Sequence, residues 1–139
     1  MLAIRRGLEG DLAAVAEIQS ASPEAAHWNV ADYLGYGLWV AVGSGGRVAG
    51  FLVSRPLGLG QGELLNLAVA PGSRRNGVGK SLVRAFLAEF PGGAYLEVRE
   101  SNVNAVNLYK SMGFEEVSRR REYYQCPPEA AIVMKFHSC

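Results

Sequence analysis

Residues 63–90 contain an abrupt change of hydrophobic period, and this change limits the fold more than any other feature. Glu63-Leu64-Leu65-Asn66-Leu67-Ala68-Val69-Ala70 is a nearly continuous apolar run, the pattern of a strand covered on both faces. Pro71-Gly72 stops it. Val78, Leu82, Val83, Phe86, Leu87 and Phe90 then recur at helical spacing, with Lys80, Ser81, Arg84 and Glu89 off that face. Pro91-Gly92-Gly93 ends the helix. A doubly covered strand that passes through a glycine turn into an amphipathic helix requires layers on both sides of a sheet. This excludes an all-helical bundle and predicts one three-layer α/β domain over residues 1–139.

The flanking patterns complete the order. Leu2 and Ile4 mark a short first strand. Asp11 is placed to cap a helix carrying Leu12, Val15, Ala16 and Ile18, which Ser22-Pro23 ends. A shorter helical turn is predicted over Val30 to Tyr33. Leu38–Val42 and Val48–Ser54 read as a hairpin about Gly43-Ser44-Gly45-Gly46, and Pro56 to Gly60 turns the chain again. Downstream, Ala94–Val98 is a strand and Asn104–Met112 a helix closed by Gly113. Phe114–Tyr124 and Ala131–Phe136 are two last strands separated by Pro127-Pro128. The order β-α-α-β-β-β-α-β-α-β-β is an antiparallel meander that feeds a βαβ unit.

Composition removes several function classes. With 139 residues and 49% hydrophobic content, the chain can bury a core without disulfides or a structural metal. Fourteen Lys+Arg against thirteen Asp+Glu leave a net charge of +1, unlike a disordered chain or a strongly basic nucleic-acid binder. Arg119-Arg120-Arg121 lies on an alternating strand and cannot present all three side chains to one side, so it reads as a solvated strand edge. No window approaches the ~18 apolar residues of a spanning helix. The start MLAIRRGLEGD meets an arginine pair and acids too early for a signal peptide. A cytoplasmic protein without membrane or nucleic-acid partners, monomeric or weakly dimeric, is the expectation. Cys126 and Cys139 form neither a disulfide framework nor a metal pair, and no His cluster accompanies them.

The turn Ala70-Pro71-Gly72-Ser73-Arg74-Arg75-Asn76-Gly77-Val78-Gly79-Lys80 has the makings of an anion cradle. Glycines allow close backbone approach, and the first amides of the helix point outward at its positive end. A diphosphate would suit it. The phosphate loop of nucleotide triphosphatases needs glycine where Arg74 stands, and the dinucleotide fingerprint needs glycine at Leu82. Both patterns fail. A tight turn with solvated arginines is the plain alternative. Glu97, inside Ala94-Tyr95-Leu96-Glu97-Val98, is costly to bury in ionised form. Either it faces a wet cleft, or its pKa is raised, or it occupies an outward alternating position. Tyr109 shares a helix face with Ala105, four residues earlier.

Together these segments resemble the GNAT superfamily of acetyl-coenzyme A-dependent N-acetyltransferases. Arg74-Arg75-Asn76-Gly77-Val78-Gly79 resembles its (Gln/Arg)-x-x-Gly-x-(Gly/Ala) pyrophosphate signature, and Leu64 to Pro71 the strand before it. Leu96 to Asn102, Asn104-Ala105 and Leu108 to Phe114 resemble the second half of its cofactor and catalytic region. Arg119 to Tyr124 is similar to the ending of bacterial ribosomal-protein-alanine N-acetyltransferases of the RimI type.

The resemblance implies the GNAT fold, a mixed, mostly antiparallel twisted sheet splayed between its fourth and fifth strands. It also implies acetyl-CoA as cosubstrate, Glu97 as catalytic base and Tyr109 as general acid. Coenzyme contacts would come from Leu67, Ala68, Val69, Arg74, Arg75, Asn76, Gly77, Val78, Gly79 and Lys80. Asn102 reads as a further coenzyme contact or as a helix N-cap. Trp28 would grip an acceptor peptide with Tyr123 and Tyr124, or else pack as an ordinary core residue. His27 stands where relatives usually carry proline, and Glu129-Ala130-Ala131 where they carry Glu-Asp-Ala. The expected reaction is direct acetyl transfer to a protein N-terminal amine, with Cys126 not a nucleophile. The alternatives are transfer to a small amine, amino acid or antibiotic, or coenzyme binding by a regulator without turnover.

Overall fold

The computed structural model describes residues 2–125 and 128–137, together with all their side chains except those of Glu122, Tyr124, Gln125 and Pro128. Seven strands form one sheet: β1 (Ala3–Arg6), β2 (Gly37–Val42), β3 (Val48–Gly58), β4 (Gln61–Val69), β5 (Gly93–Arg99), β6 (Glu115–Gln125) and β7 (Pro128–Phe136). Their spatial order is β1-β2-β3-β4-β5-β7-β6, and only β4 and β5 run parallel. The helices are α1 (Leu12–Ser20), α2 (Val78–Glu89) and α3 (Val103–Ser111). The predicted short helix after α1 is a 3₁₀ segment, Val30–Gly35, capped by the Asn29 side chain on the Ala31 N–H.

The sheet separates two apolar cores, which makes the three layers. On one face Val78, Leu82, Val83 and Phe86 of α2 and Val106 and Tyr109 of α3 pack on Leu52, Leu64, Leu96 and Met134. On the other, Val15 and Ile18 of α1 and Tyr33 pack on Val40, Phe51, Val53 and Ala68. The period change between β4 and α2 is therefore a crossover from the sheet into its α2 face.

Two local expectations are corrected. The turn predicted over Pro56 to Gly60 is much tighter, because β3 continues to Gly58 and Pro56 pairs with Gly62. A register shift at Leu57 accommodates the proline, and Leu59 (φ 57°) and Gly60 (φ 74°) alone reverse the chain. Asp11 precedes α1 but does not cap it. Its carboxylate instead takes both guanidinium nitrogens of Arg5, at 2.8 and 3.0 Å, and the Leu8 N–H at 2.7 Å.

Candidate active site

The site begins with one extra residue in β4. Val53 pairs with Asn66 and Ser54 with Leu64, so Leu65 has no partner on β3. Such a bulge bends its strand and puts two successive side chains on one face. Leu65 packs toward the α1 core, and Asn66 reaches Gln19 and Tyr33 on the same side. Pairing of β4 with β5 stops at the same level, its last partners being Leu64 and Leu96. Beyond it the two strands diverge, as the fold class predicted.

The main chain along this opening is turned by the antiparallel rule. Ala70 donates to the Ala49 carbonyl at 2.8 Å. Alternation then directs the Ala68 N–H toward β3 and the N–H groups of Leu67 and Val69 into the gap. The Ala68 carbonyl also lies on the β3 side, 3.0 Å from where a Gly50 Cβ would stand. Of the three residues expected to give backbone contacts, Ala68 thus turns its N–H and carbonyl to β3, while Leu67 and Val69 turn theirs to the gap. Within the gap, the Leu67 N–H meets Asn66 Oδ1 at 3.0 Å and the Val69 carbonyl accepts from Arg74 Nε at 3.1 Å.

A cleft of about 780 Å³ occupies the mouth of the splay. Trp28, Leu67, Glu97, Asn102, Tyr109 and Tyr123 all line it, so elements far apart in sequence deliver the predicted residues to one place. Glu97 faces the cleft with its side chain 23% exposed, and Arg120 Nη2 lies 3.4 Å from its Oε1. The same guanidinium sits 5.1 Å over the Tyr123 ring. Tyr109 is 4% exposed, with its ring edge-on to Phe114 at 5.6 Å. Burial pushes its phenol well above the ordinary tyrosine value, so it holds its proton at neutral pH. Asn102 caps α3, its Oδ1 accepting the Ala105 N–H at 3.2 Å, and it also borders the cleft. Trp28 and Tyr123 are 48% and 47% exposed, so neither is a core residue. Neither the Tyr124 side chain nor Cys126 falls among the described parts.

The glycine turn lies at the far end of the gap. Gly77 (φ 76°) is left-handed, as is Arg75 (φ 68°), and α2 starts directly after Gly77. The Gly77 carbonyl takes the Ser81 N–H at 3.0 Å. The amides of Val78, Gly79 and Lys80 precede any intrahelical partner and lie at the helix's positive end, where negative charge is favoured. Val78 gives its side chain to the core, whereas Arg75, Asn76 and Lys80 are exposed. Gly79 is small because α3 is close, with Leu108 Cδ2 3.1 Å from the position of an added Cβ. Arg74, expected among the coenzyme contacts, also makes contacts upstream. Its Nη2 reaches the Ala21 carbonyl at 3.3 Å and Ser22 Oγ at 3.2 Å.

The sequence reading did not single out several ion-paired groups in and beside the cleft. Arg55 and Glu63 pair at 2.7 Å on adjacent strands, and both line the cleft with Tyr36. Glu129 binds Arg99 at 3.0 Å and accepts from the N–H and hydroxyl of Ser101. Burial opposes its charge, but these partners prevail and hold the carboxyl below its usual value. A polar residue inside an apolar strand had marked Glu97, and the same signal at Asn66 went unused. Among the described residues no His, Cys, Asp and Glu cluster could hold a metal ion, and no helix is long and apolar enough to cross a membrane.

Known proteins share this arrangement. The ribosomal protein bS18-alanine N-acetyltransferase of Escherichia coli K12 is 37% identical over 95 residues, a match spanning 64% of each chain. That is less than two thirds of the relative's length. The N-alpha-acetyltransferase RimI of Mycobacterium tuberculosis is 36% identical over 101 residues, 70% of this chain and 64% of that one. The crystal structure of the Escherichia coli ribosomal-protein-S18-alanine N-acetyltransferase superposes with a TM-score of 0.84 at 29% identity, covering 100% of this chain and 96% of that chain. The model of the acetyltransferase (GNAT) family matches residues 10–114, from the turn before α1 to the end of α3, and the chain belongs to that family.

Proposed function

We propose that the protein transfers the acetyl group of acetyl-CoA to the α-amine of a protein N-terminus, of the kind found on ribosomal proteins. One observation carries the reading: the opening of β4 from β5 puts a carboxylate, a protonated phenol and exposed aromatic side chains on one cleft. The cosubstrate fits what is present. A diphosphate suits the first-turn amides of α2 with Arg75 and Lys80 beside them, and an extended amide-bearing arm suits the free edge of β4. The activities for which the relatives are named supply the acceptor class.

The chemistry follows from the groups available. The acceptor nitrogen attacks the thioester carbon and the carbon–sulfur bond breaks. Of the three protons of the starting ammonium, one leaves to solvent by way of Glu97, one replaces the proton that Tyr109 gives to sulfur, and one stays on the amide nitrogen. Glu97 takes the proton from the amine, directly or through a water in the cleft. An α-ammonium has an ordinary pKa of about 7.7–8.0, so a carboxylate needs to give only modest help. The gap-facing N–H of Leu67 stabilises the oxygen as charge develops on it. Tyr109 donates to the departing sulfur. A phenol is already a weaker acid than a thiol and burial widens the difference, so Tyr109 serves first as a hydrogen-bond donor to the sulfur and passes its proton only as charge builds there. Trp28 and Tyr123 hold the acceptor on either side.

Incubation with acetyl-CoA and a panel of N-terminal peptides, lysine peptides and small amines, read by mass spectrometry, tests the proposal. A gain of one acetyl group on the peptide α-amine is expected. Transfer to small amines alone would reject the peptide reading, and tight coenzyme binding without any transfer would reject the enzyme.

A further inference from the structure

Asn66 is 4% exposed and has five polar contacts. Its Nδ2 donates to the Ala26 carbonyl at 2.9 Å and lies 3.1 Å from the Tyr33 hydroxyl and 3.2 Å from Gln19 Oε1. Its Oδ1 accepts two N–H groups, from Leu67 at 3.0 Å and from Ala26 at 3.2 Å. Ala26 thus both donates to and accepts from one side chain, as it would with a neighbouring strand.

Ala26 belongs to the irregular segment 21–29 that carries Trp28 to the cleft. Side chains from the elements around it hold that segment in place of a ladder. Gln19 Nε2 donates to the Trp28 carbonyl at 2.8 Å, and Arg74 binds the Ala21 carbonyl and Ser22 Oγ. The two side chains that cap the gap edge of β4, Asn66 at the Leu67 N–H and Arg74 at the Val69 carbonyl, are the same two that hold this segment to β4.

We propose that Asn66 is a positioning residue that couples the thioester site to the acceptor-binding segment, so that an acetylated coenzyme tightens the segment and a spent one does not. The inference rests on the acetyl-transfer reading above. Oδ1 is shared between two N–H groups. When a thioester oxygen occupies the Leu67 N–H, Oδ1 is left to Ala26 and that bond strengthens. Free coenzyme A has no thioester oxygen, so the sharing returns after transfer and the segment relaxes as product leaves. Because coupling is reciprocal, an acceptor seated against Trp28 also raises the affinity for the acetylated coenzyme.

Amide exchange of Ala26, followed by NMR on the full chain, is the direct test. Exchange is expected to be at least about fivefold slower with saturating acetyl-CoA than with saturating coenzyme A, the low end of ordinary coupling factors. Asn66→Ala should raise the KM of an acceptor peptide about tenfold, while the Kd of acetyl-CoA moves less than about threefold and kcat falls less than KM rises. If that variant does not fold, the exchange measurement on the unaltered protein decides the matter. Equal Ala26 exchange in the two coenzyme forms, with calorimetry showing both bound, would overturn the coupling and leave acetyl transfer standing. So would an unchanged acceptor KM in folded Asn66→Ala. Absence of any heat with acetyl-CoA would instead remove the acetyl-transfer reading and this inference together.

Discussion

Gly77 offers a perturbation in which fold strain and ligand contact separate. Its φ of 76° is left-handed, and nothing lies within 4 Å of the position a Cβ would take. Gly77→Ala therefore meets no clash and costs only the left-handed penalty, roughly 1–2 kcal/mol. For a domain of this size that lowers Tm by about 3–8 °C. Gly77→Asn should recover much of the loss, because asparagine tolerates this conformation. A bulky Gly77→Val variant adds a second effect. A side chain at the mouth of the cradle pushes a diphosphate off at least one helix-start amide, and a hydrogen bond to a charged group is worth roughly 1.5–3 kcal/mol. The Kd of coenzyme A should rise about tenfold to a hundredfold, more than in Gly77→Asn. Scanning calorimetry gives Tm and titration calorimetry gives Kd on the same samples. An unaltered Kd in folded Gly77→Val would refute the anion-cradle argument. Equal Tm in the Ala and Asn variants would refute the strain argument.

Three other perturbations address the chemistry and the frame. Tyr109→Phe should lower kcat by about 10²-fold or more with coenzyme affinity unchanged, within the range of a general acid; stopped assays and calorimetry check it. Glu97→Gln should depress turnover most at low pH, and the deficit should narrow above about pH 8, where the acceptor α-amine loses its own proton; a deficit equal at every pH would reject the base role. Asp11→Asn tests the Arg5 pair, whose side-chain hydrogen bond holds the Asp11 carboxyl below its ordinary value against the effect of burial. A depressed carboxyl contributes stability above its unfolded value and loses it as pH falls through the folded one. The Tm gap between wild type and variant should therefore be full at pH 7 and close below about pH 4, near the unfolded aspartate value.

Much of this architecture was legible because local and global patterns agree. The run from Glu63 to Ala70 is apolar because β4 is covered by α1 on one side and α2 on the other. The turn before α2 could be placed from Gly77 and Gly79, since the first sits in a left-handed turn and the second where α3 comes close. Side-chain destinations were less legible. Arg74 lies in the glycine turn, and its guanidinium bonds a carbonyl and a hydroxyl more than fifty positions upstream; no periodicity encodes such a contact. Asp11 looked like a cap because it precedes a helix. The nearby cation of Arg5 competes better for a carboxylate than one helical amide does.

The hardest feature to read was the one on which the site depends. Alternation along β4 assigns each residue to a face by counting, and counting fails once Leu65 is inserted without a partner. Had β4 kept its register, Asn66 would have pointed into the α2 core, where an amide with no partner would be costly. With the bulge, Asn66 joins Gln19 and Tyr33 on the α1 side and Leu67 returns to the α2 side. The insertion also bends β4 where pairing with β5 ends, at the gap that the Leu67 and Val69 N–H groups face and beside the Asn66 side chain that holds the Trp28 segment. Deleting Leu65 should restore regular pairing with Asn66 still opposite Val53 on the α1 side and should straighten β4, so a narrower gap beside an intact Asn66 clamp is the outcome expected in a crystal structure of the variant. The residues that line the cleft therefore gather where β4 breaks its register and parts from β5.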